Sequence, residues 1–127
     1  MLDVEGKGPA ELSKIGDPFV NFLYSLALSK AFMRPLGRKV SNFILAEAVV
    51  RSGLRDRLGS RLRRGDLGDI AEGLIFMAWA QGKMDIGEAV EILAGPLSTE
   101  EDRLRLREES VKGFEKLLRH VAELCLI

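Results

Sequence analysis

Apolar residues recur at helical spacing along most of the chain. Between residues 66 and 82 they fall at Leu67, Ile70, Ala71, Leu74, Ile75, Ala78 and Trp79. Intervals of three and four residues place these side chains on one face of an amphipathic helix, and that face is expected to be buried. We therefore predict a central helix over this stretch, and Asp66 is a suitable residue to cap it.

A second strongly apolar stretch begins at Asp17 and Pro18 and continues to about residue 33. Aspartate is a favoured N-cap, and proline is favoured at the first helical position. This pair therefore predicts a helix that starts at Asp17, preceded by a short turn of helix over residues 9–15. Asn21, one turn further on, is either a satisfied buried amide or a group that orients a metal-bound water.

The remaining pattern predicts shorter helices and one long C-terminal helix. The shorter helices are expected over about 38–52, within 54–64 and over about 86–93. Ser98 and Glu101 have the spacing of a capping box, which predicts that the last helix starts there and ends near residue 124. No stretch of useful length alternates as a strand does. The predicted fold class is all-α, a single bundle of about six helices in one domain over residues 1–127, with residues 1–8 flexible.

The distribution of charge adds a candidate polyanion-binding segment to the predicted helical bundle. The 127 residues include 46% hydrophobic and 6% aromatic residues, which suits one domain with a core and disfavours a protein that stacks single-stranded bases. Nineteen basic residues balance 19 acidic ones, yet residues 30–64 hold ten basic and two acidic residues, a local charge of +8. A neutral chain with such a segment can hold a polyanion locally. Alternatively, the arginines of residues 51–64 form a solvated face or pair with the acidic C-terminal helix.

Several kinds of site are excluded by the residue counts. Cys125 is the only cysteine and His120 the only histidine, so the chain cannot form an internal disulfide or a site built on two histidines. Residues 1–8 do not resemble a signal peptide, and the apolar run of residues 19–33 is too short and too polar to span a bilayer. We expect no membrane association and a cytoplasmic location.

Three acidic residues are candidates for a metal site. Asp69 and Glu72 are three residues apart and project from one side of the central helix, and Asp17 heads the other apolar helix. If the two helices meet, their carboxylates form a site that suits Mg²⁺. Simpler interpretations remain, because Asp17 caps a helix well and Asp69 suits the positive end of a helix dipole.

Three segments resemble the catalytic domain of ribonuclease III. Ile15-Gly16-Asp17 is similar to the end of that family's Glu-x-Leu-Gly-Asp helix. Val40-Ser41-Asn42-x-x-Leu45-Ala46, followed by Gly53-Leu54, is similar to its middle helix. Asp69-x-x-Glu72-Gly73-Leu74-Ile75, followed by Gly82, is similar to its Asp-x-x-Glu-Ala-Leu-Ile helix. The resemblance spans roughly residues 12–93, and its motifs occur in the family's order.

The resemblance implies a homodimeric endoribonuclease that uses divalent metal to hydrolyse phosphodiester bonds in double-stranded RNA. Asp17, Asp69 and Glu72 occupy the positions of three of the family's four main acidic residues, and they are the expected catalytic and metal-binding residues. Mg²⁺ is the expected cofactor, with Mn²⁺ as a substitute. The expected RNA-binding residues are Arg38, Lys39, Arg55, Arg57, Arg61, Arg63 and Arg64.

The chain departs from the family pattern at two positions. The fourth acidic residue is expected one turn before Asp17, where this chain has Ser13, and Glu11 is out of register. Pro18 interrupts a helix that is continuous in the family. These departures favour an alternative function, a catalytically weakened or inactive dimeric RNA-binding scaffold of the same fold. We expect a short stand-alone member of the archaeal type, without a double-stranded-RNA-binding domain.

Overall fold

The computed structural model describes residues 4–59, 61–99 and 102–127. These residues form helices α1 (Pro9–Phe32), α2 (Asn42–Arg51), α3 (Leu54–Leu58), α4 (Arg64–Ala80), α5 (Ile86–Ala94) and α6 (Arg103–Leu124). The described ranges contain six helices and no strand, so the all-α prediction is confirmed. Within them, no helix has the length and apolar character needed to cross a membrane.

The bundle is built around the contact between α1 and α4, the most extensive contact between any two helices. α4 is apolar on nearly all sides because α1, α2 and α6 all pack against it. Leu23 of α1, Ile75 of α4 and Phe114 of α6 are fully buried in the shared core. Each such side chain contributes about 1.5–3 kcal/mol through burial.

The start of the chain adds a smaller apolar cluster. Val4 is buried against Leu12 of α1 and against Phe76 and Ala80 of α4, although residues 1–8 were expected to be flexible. Phe19 and Trp79 pack on the same cluster, with 5.2 Å between their ring centroids. This cluster fastens the first turns of α1 to the C-terminal half of α4.

The predicted helix start at Asp17 is wrong. α1 begins at Pro9, with Gly8 as its N-cap, and passes through Pro18 without interruption. Proline inside a helix removes one hydrogen bond and costs about 3 kcal/mol. Buried residues on both sides of it, including Leu12, Gly16, Val20 and Leu23, form one face against the core, and the burial of that face outweighs the local cost.

Three other predicted helix starts are also wrong. α2 begins at Asn42 and not near residue 38, with Ser41 as its N-cap. α4 begins two residues before Asp66, with Arg63 as its N-cap. Ser98 does not cap α6, and Glu101 lies outside the described residues. The N-cap of α6 is Asp102, whose carboxylate accepts hydrogen bonds from the backbone N–H groups of Leu104 and Arg105 at 2.9 and 3.3 Å. The Ser98 backbone N–H and hydroxyl instead donate to Glu109.

Glycines allow α1 and α4 to approach closely. A Cβ atom on Gly16 would lie 2.5 Å from the backbone oxygen of Glu72, and one on Gly73 would lie 2.1 Å from the backbone oxygen of Pro9. Real side chains do not tolerate such distances, so both positions require glycine for the observed packing. Asp17 follows Gly16 and Glu72 precedes Gly73, so the close crossing of the two helices also places Asp17 and Glu72 next to each other.

We expect Gly16→Ala to destabilise the protein by about 1–3 kcal/mol, because the added methyl group must push α1 away from the α4 backbone. Urea unfolding measures this change. Gly37→Ala is the matched control, since a Cβ atom there would meet nothing within 4 Å. Equal stability of the two variants would contradict the close crossing.

Candidate active site

A cavity of about 380 Å³ lies where α1, α4 and the segment before α2 meet. The residues that line it are Ser13, Lys14, Asp17, Lys39, Val40, Asn42, Leu45, Asp69 and Glu72. All three predicted acidic residues are among them, contributed by two different helices. We call this the acidic cavity.

Glu72 is the most deeply placed of the three carboxyl groups. Its residue is 7% exposed, whereas Asp17 and Asp69 are open to solvent. Burial raises the pKa of Glu72 to about 8, and the hydrogen bond to Asp17 and the charges of Asp17 and Asp69 act in the same direction. Lys39 opposes them. Glu72 therefore holds a proton at neutral pH and donates it in a hydrogen bond to Asp17.

Asp17 is oriented by a neighbouring amide. The Asn21 side chain donates from Nδ2 to Oδ1 of Asp17 at 3.1 Å, and its own Oδ1 accepts from the Val40 backbone N–H at 2.9 Å. Asn21 is thus a satisfied amide, one of the two roles considered from the sequence. It ties Asp17 to the segment that carries Lys39, so that the acid and the lysine face the same cavity.

The fourth acidic position of the family is not replaced by a neighbouring residue. Ser13 lines the acidic cavity, and its hydroxyl donates to the Ala10 backbone oxygen at 2.8 Å. Glu11 lines a different cavity and forms an ion pair with Lys7 at 3.9 Å. Among the residues that the structure describes, three carboxyl groups and not four therefore face the acidic cavity. Lys14 also faces it, a contribution that the sequence pattern did not single out.

The donor atoms fit a hydrated magnesium ion better than a fully ligated one. Across the described ranges, no three His, Cys, Asp or Glu side chains form a group that could hold a metal ion directly. The acidic cavity offers carboxylate oxygens from Asp17, Asp69 and Glu72, the atom type that Mg²⁺ prefers. Mg²⁺ usually keeps several waters and needs only one or two carboxylates. Besides burial, the charges of Asp17 and Asp69 raise the pKa of Glu72, and a divalent cation would offset this concentration of negative charge.

The predicted RNA-binding residues occupy three kinds of position. Lys39 lines the acidic cavity, and Arg38, the residue before it, lines a second cavity of about 270 Å³. Arg55 and Arg57 donate to the backbone oxygens of Leu62 and Ile127. The other three are exposed residues around the start of α4, namely Arg61, Arg63 and Arg64.

The alternative role of the arginines, pairing with the acidic C-terminal helix, applies to Arg51, whereas Arg64 pairs with Glu47 of α2. Arg51 forms an ion pair with Glu108 of α6 at 2.5 Å and another with Glu47 at 3.4 Å. Arg64 forms an ion pair with Glu47 at 3.1 Å. Some groups of the basic segment thus hold the bundle together, whereas Lys39 faces the acidic cavity and Arg61 and Arg63 are exposed.

The described residues form an all-helical domain in which three carboxyl groups and two lysines line one cavity, groups that suit metal-dependent chemistry on a phosphate. The family model described as Ribonuclease III matches residues 10–125, nearly the whole chain. The chain therefore belongs to the ribonuclease III family, as its three motifs predicted, and this membership indicates a nuclease that acts on RNA. A comparison with curated proteins returned no match.

Proposed function

We propose that this protein is a Mg²⁺-dependent endoribonuclease that hydrolyses phosphodiester bonds in double-stranded or structured RNA, with Mn²⁺ as a substitute metal. The observation that carries the proposal is the arrangement of Asp17, Asp69 and Glu72 around one cavity in a chain of the ribonuclease III family. The single cysteine agrees with activity in a reducing cytoplasm.

Each group in the acidic cavity has a role in this proposal. Asp17, Asp69 and Glu72 would hold the metal directly or through water, and Glu72 must lose its proton to do so. The bound metal would lower the pKa of a water molecule and stabilise charge on the scissile phosphate. Asn21 keeps Asp17 in place through its hydrogen bond. Lys14 and Lys39 place positive charge where the negatively charged RNA backbone must enter.

The preference for double-stranded RNA follows from what the surface can recognise. Basic side chains contact phosphates without reading sequence, and A-form RNA is recognised mainly by its shape. The acidic cavity presents lysines and carboxylates, and none of the described residues that line it is an aromatic on which an unpaired base would stack. A duplex is therefore a better substrate than a single strand of the same sequence.

The test is cleavage of a labelled RNA duplex and of its separate strands, with and without Mg²⁺. Cleavage of the duplex that requires Mg²⁺ or Mn²⁺ supports the proposal. Cleavage that is the same in a chelator, or that prefers the single strands, contradicts it. Binding of the duplex without cleavage would favour the inactive scaffold, for which Ser13 in the fourth acidic position is the specific reason.

A homodimer is part of the proposal. Ile15, Phe22 and Leu26 are 50%, 50% and 36% exposed, and their spacing of seven and four residues places them on one face of α1. Exposed apolar faces of this kind mark interaction sites. α1 also carries Asp17, so pairing through this face would bring two acidic cavities into one particle that acts on two strands.

We expect Phe22→Lys to convert a dimer into a monomer, because two lysines would be buried at the centre of a symmetric contact. Sedimentation velocity measures the change. Leu104→Lys is the control, since Leu104 is 75% exposed but lies on α6. A wild type that sediments as a monomer at high protein concentration would exclude the dimer.

A further inference from the structure

Three helices meet at one exposed aromatic ring. Phe43, in the first turn of α2, is 44% exposed. The guanidinium carbon of Arg107 on α6 lies 4.3 Å from the ring centroid, and that of Arg64 on α4 lies 5.6 Å from it. Cation–π contacts of this kind contribute about 0.5–1 kcal/mol each at exposed sites. We call these three residues the Phe43 patch.

The Phe43 patch borders the acidic cavity. Asn42, the residue before Phe43, lines that cavity. Arg64 lies five residues before Asp69 on α4, which corresponds to a rise of about 7.5 Å along the helix. The patch therefore adjoins the site where a phosphodiester would be cleaved, on the side where α2 and α4 begin.

The arginines of the patch are suited to phosphate. Within the part of the chain that the structure describes, no carboxylate lies within ion-pair distance of Arg107, whereas Arg64 is paired with Glu47. A guanidinium group can stack on an aromatic face and still donate two parallel hydrogen bonds to a phosphate. Phe43 therefore fixes the position of Arg107 without using up its hydrogen-bond donors.

The positive surface continues beyond the patch. Arg103 lies one turn before Arg107 on α6 and lines the second cavity together with Arg34, Arg38 and one acidic residue, Asp102. The backbone then leads from Arg38 directly to Lys39, which lines the acidic cavity. A strand that leaves the acidic cavity can thus follow basic side chains over the Phe43 patch, whereas Arg55 and Arg57 are hydrogen-bonded to the protein backbone.

We infer that the Phe43 patch binds the RNA backbone next to the acidic cavity and that Arg107 is a positioning residue for the substrate. The inference rests on the proposed function and goes beyond it, because Phe43 and Arg107 belong to none of the family motifs. It also assigns the main RNA contact to the Phe43 patch and not to Arg55 and Arg57.

The test compares charge-removing variants on the two sides of α6. Arg107→Gln removes the proposed contact, and Lys116→Gln is the matched control. Lys116 is exposed and lies nine residues further along, two and a half turns away and therefore on the opposite face of the helix. Labelled duplex RNA is titrated with each protein in EDTA at several salt concentrations, and cleavage is measured with Mg²⁺. Thermal melting checks that each variant is folded.

We expect Arg107→Gln to weaken binding by about five- to tenfold and to reduce the salt slope by about 1, since one phosphate contact is lost. KM should rise by a similar factor with kcat unchanged. Phe43→Leu should weaken binding but keep the salt slope, because it removes the ring and leaves both charges. Lys116→Gln should behave as the wild type.

The outcomes separate this inference from the proposed function. If the wild type binds and cleaves the duplex and Arg107→Gln matches Lys116→Gln in affinity and salt slope, the inference is wrong and the proposed function stands. If the wild type neither binds nor cleaves, the proposed function fails and the inference fails with it.

Discussion

Replacement of Glu72 by glutamine is expected to reduce metal-dependent RNA cleavage by about 100-fold or more and to make the metal-free protein more stable at pH 8. Glutamine has nearly the same shape as glutamate but no anionic oxygen to offer a metal. The loss of about 3 kcal/mol of transition-state stabilisation corresponds to that factor. If Glu72 served only in packing, its replacement would not lower the activity of the protein and raise its stability at the same time.

The gain in stability follows from the pKa of Glu72. In the folded protein it is about 8, whereas a glutamate in an unfolded chain has a pKa near 4.3. Between these values the folded state binds more protons than the unfolded state, so the free energy of unfolding falls as pH rises. At pH 8 the penalty is roughly 4–5 kcal/mol, and the glutamine variant does not have it.

Urea unfolding in EDTA at pH 5 and pH 8 measures this difference. The wild type should lose stability between the two pH values, and Glu72→Gln should lose much less. Asp66→Asn is the control, because Asp66 is exposed in the first turn of α4 and lines no part of the acidic cavity. If the wild type and Glu72→Gln respond equally to pH, then Glu72 does not titrate as described.

The second large effect is expected from Ser13→Glu, which should raise cleavage at low Mg²⁺ concentration by about tenfold. Ser13 already lines the acidic cavity one turn before Asp17, so a glutamate there would add a fourth carboxylate. A further anionic oxygen strengthens the binding of a hard cation. The same change should destabilise the metal-free protein, because it increases the repulsion with Asp17 and Glu72.

Ser13→Gln is the matched control for this gain. It removes the same hydrogen bond to Ala10 and adds a side chain of the same size without a charge. Cleavage should be measured over a range of Mg²⁺ concentrations with both variants. If glutamate gives no more activity than glutamine, the acidic cavity does not lack a carboxylate at this position.

Much of the fold was predictable because the helices of this chain have strong apolar periodicity. The pattern from Leu67 to Trp79 identified the central helix and correctly placed Asp69 and Glu72 a turn apart. The helix starts were less predictable, because local capping rules compete with packing. Asp17 before Pro18 is a good local start signal, but the buried face of α1 runs past it from Leu12 to Leu28.

The missed features of the site depend on contacts between distant segments. Asn21 acquires its second partner from Val40, 19 residues away, and Phe43 meets Arg107 from a helix 64 positions later. No local pattern encodes such pairs. The sequence also does not show which arginines are structural and which face solvent. That division depends on which arginines lie within ion-pair distance of Glu47 and Glu108 in the folded chain.

The most direct test of the proposed metal-dependent active site is cleavage of labelled duplex RNA by the wild type, Asp69→Asn and Asp66→Asn over a range of Mg²⁺ concentrations. The two substituted aspartates lie in the same helix three residues apart, and only Asp69 faces the acidic cavity. We expect Mg²⁺-dependent cleavage by the wild type and Asp66→Asn, and almost none by Asp69→Asn. Equal cleavage by all three proteins, or no cleavage by the wild type, would contradict this expectation.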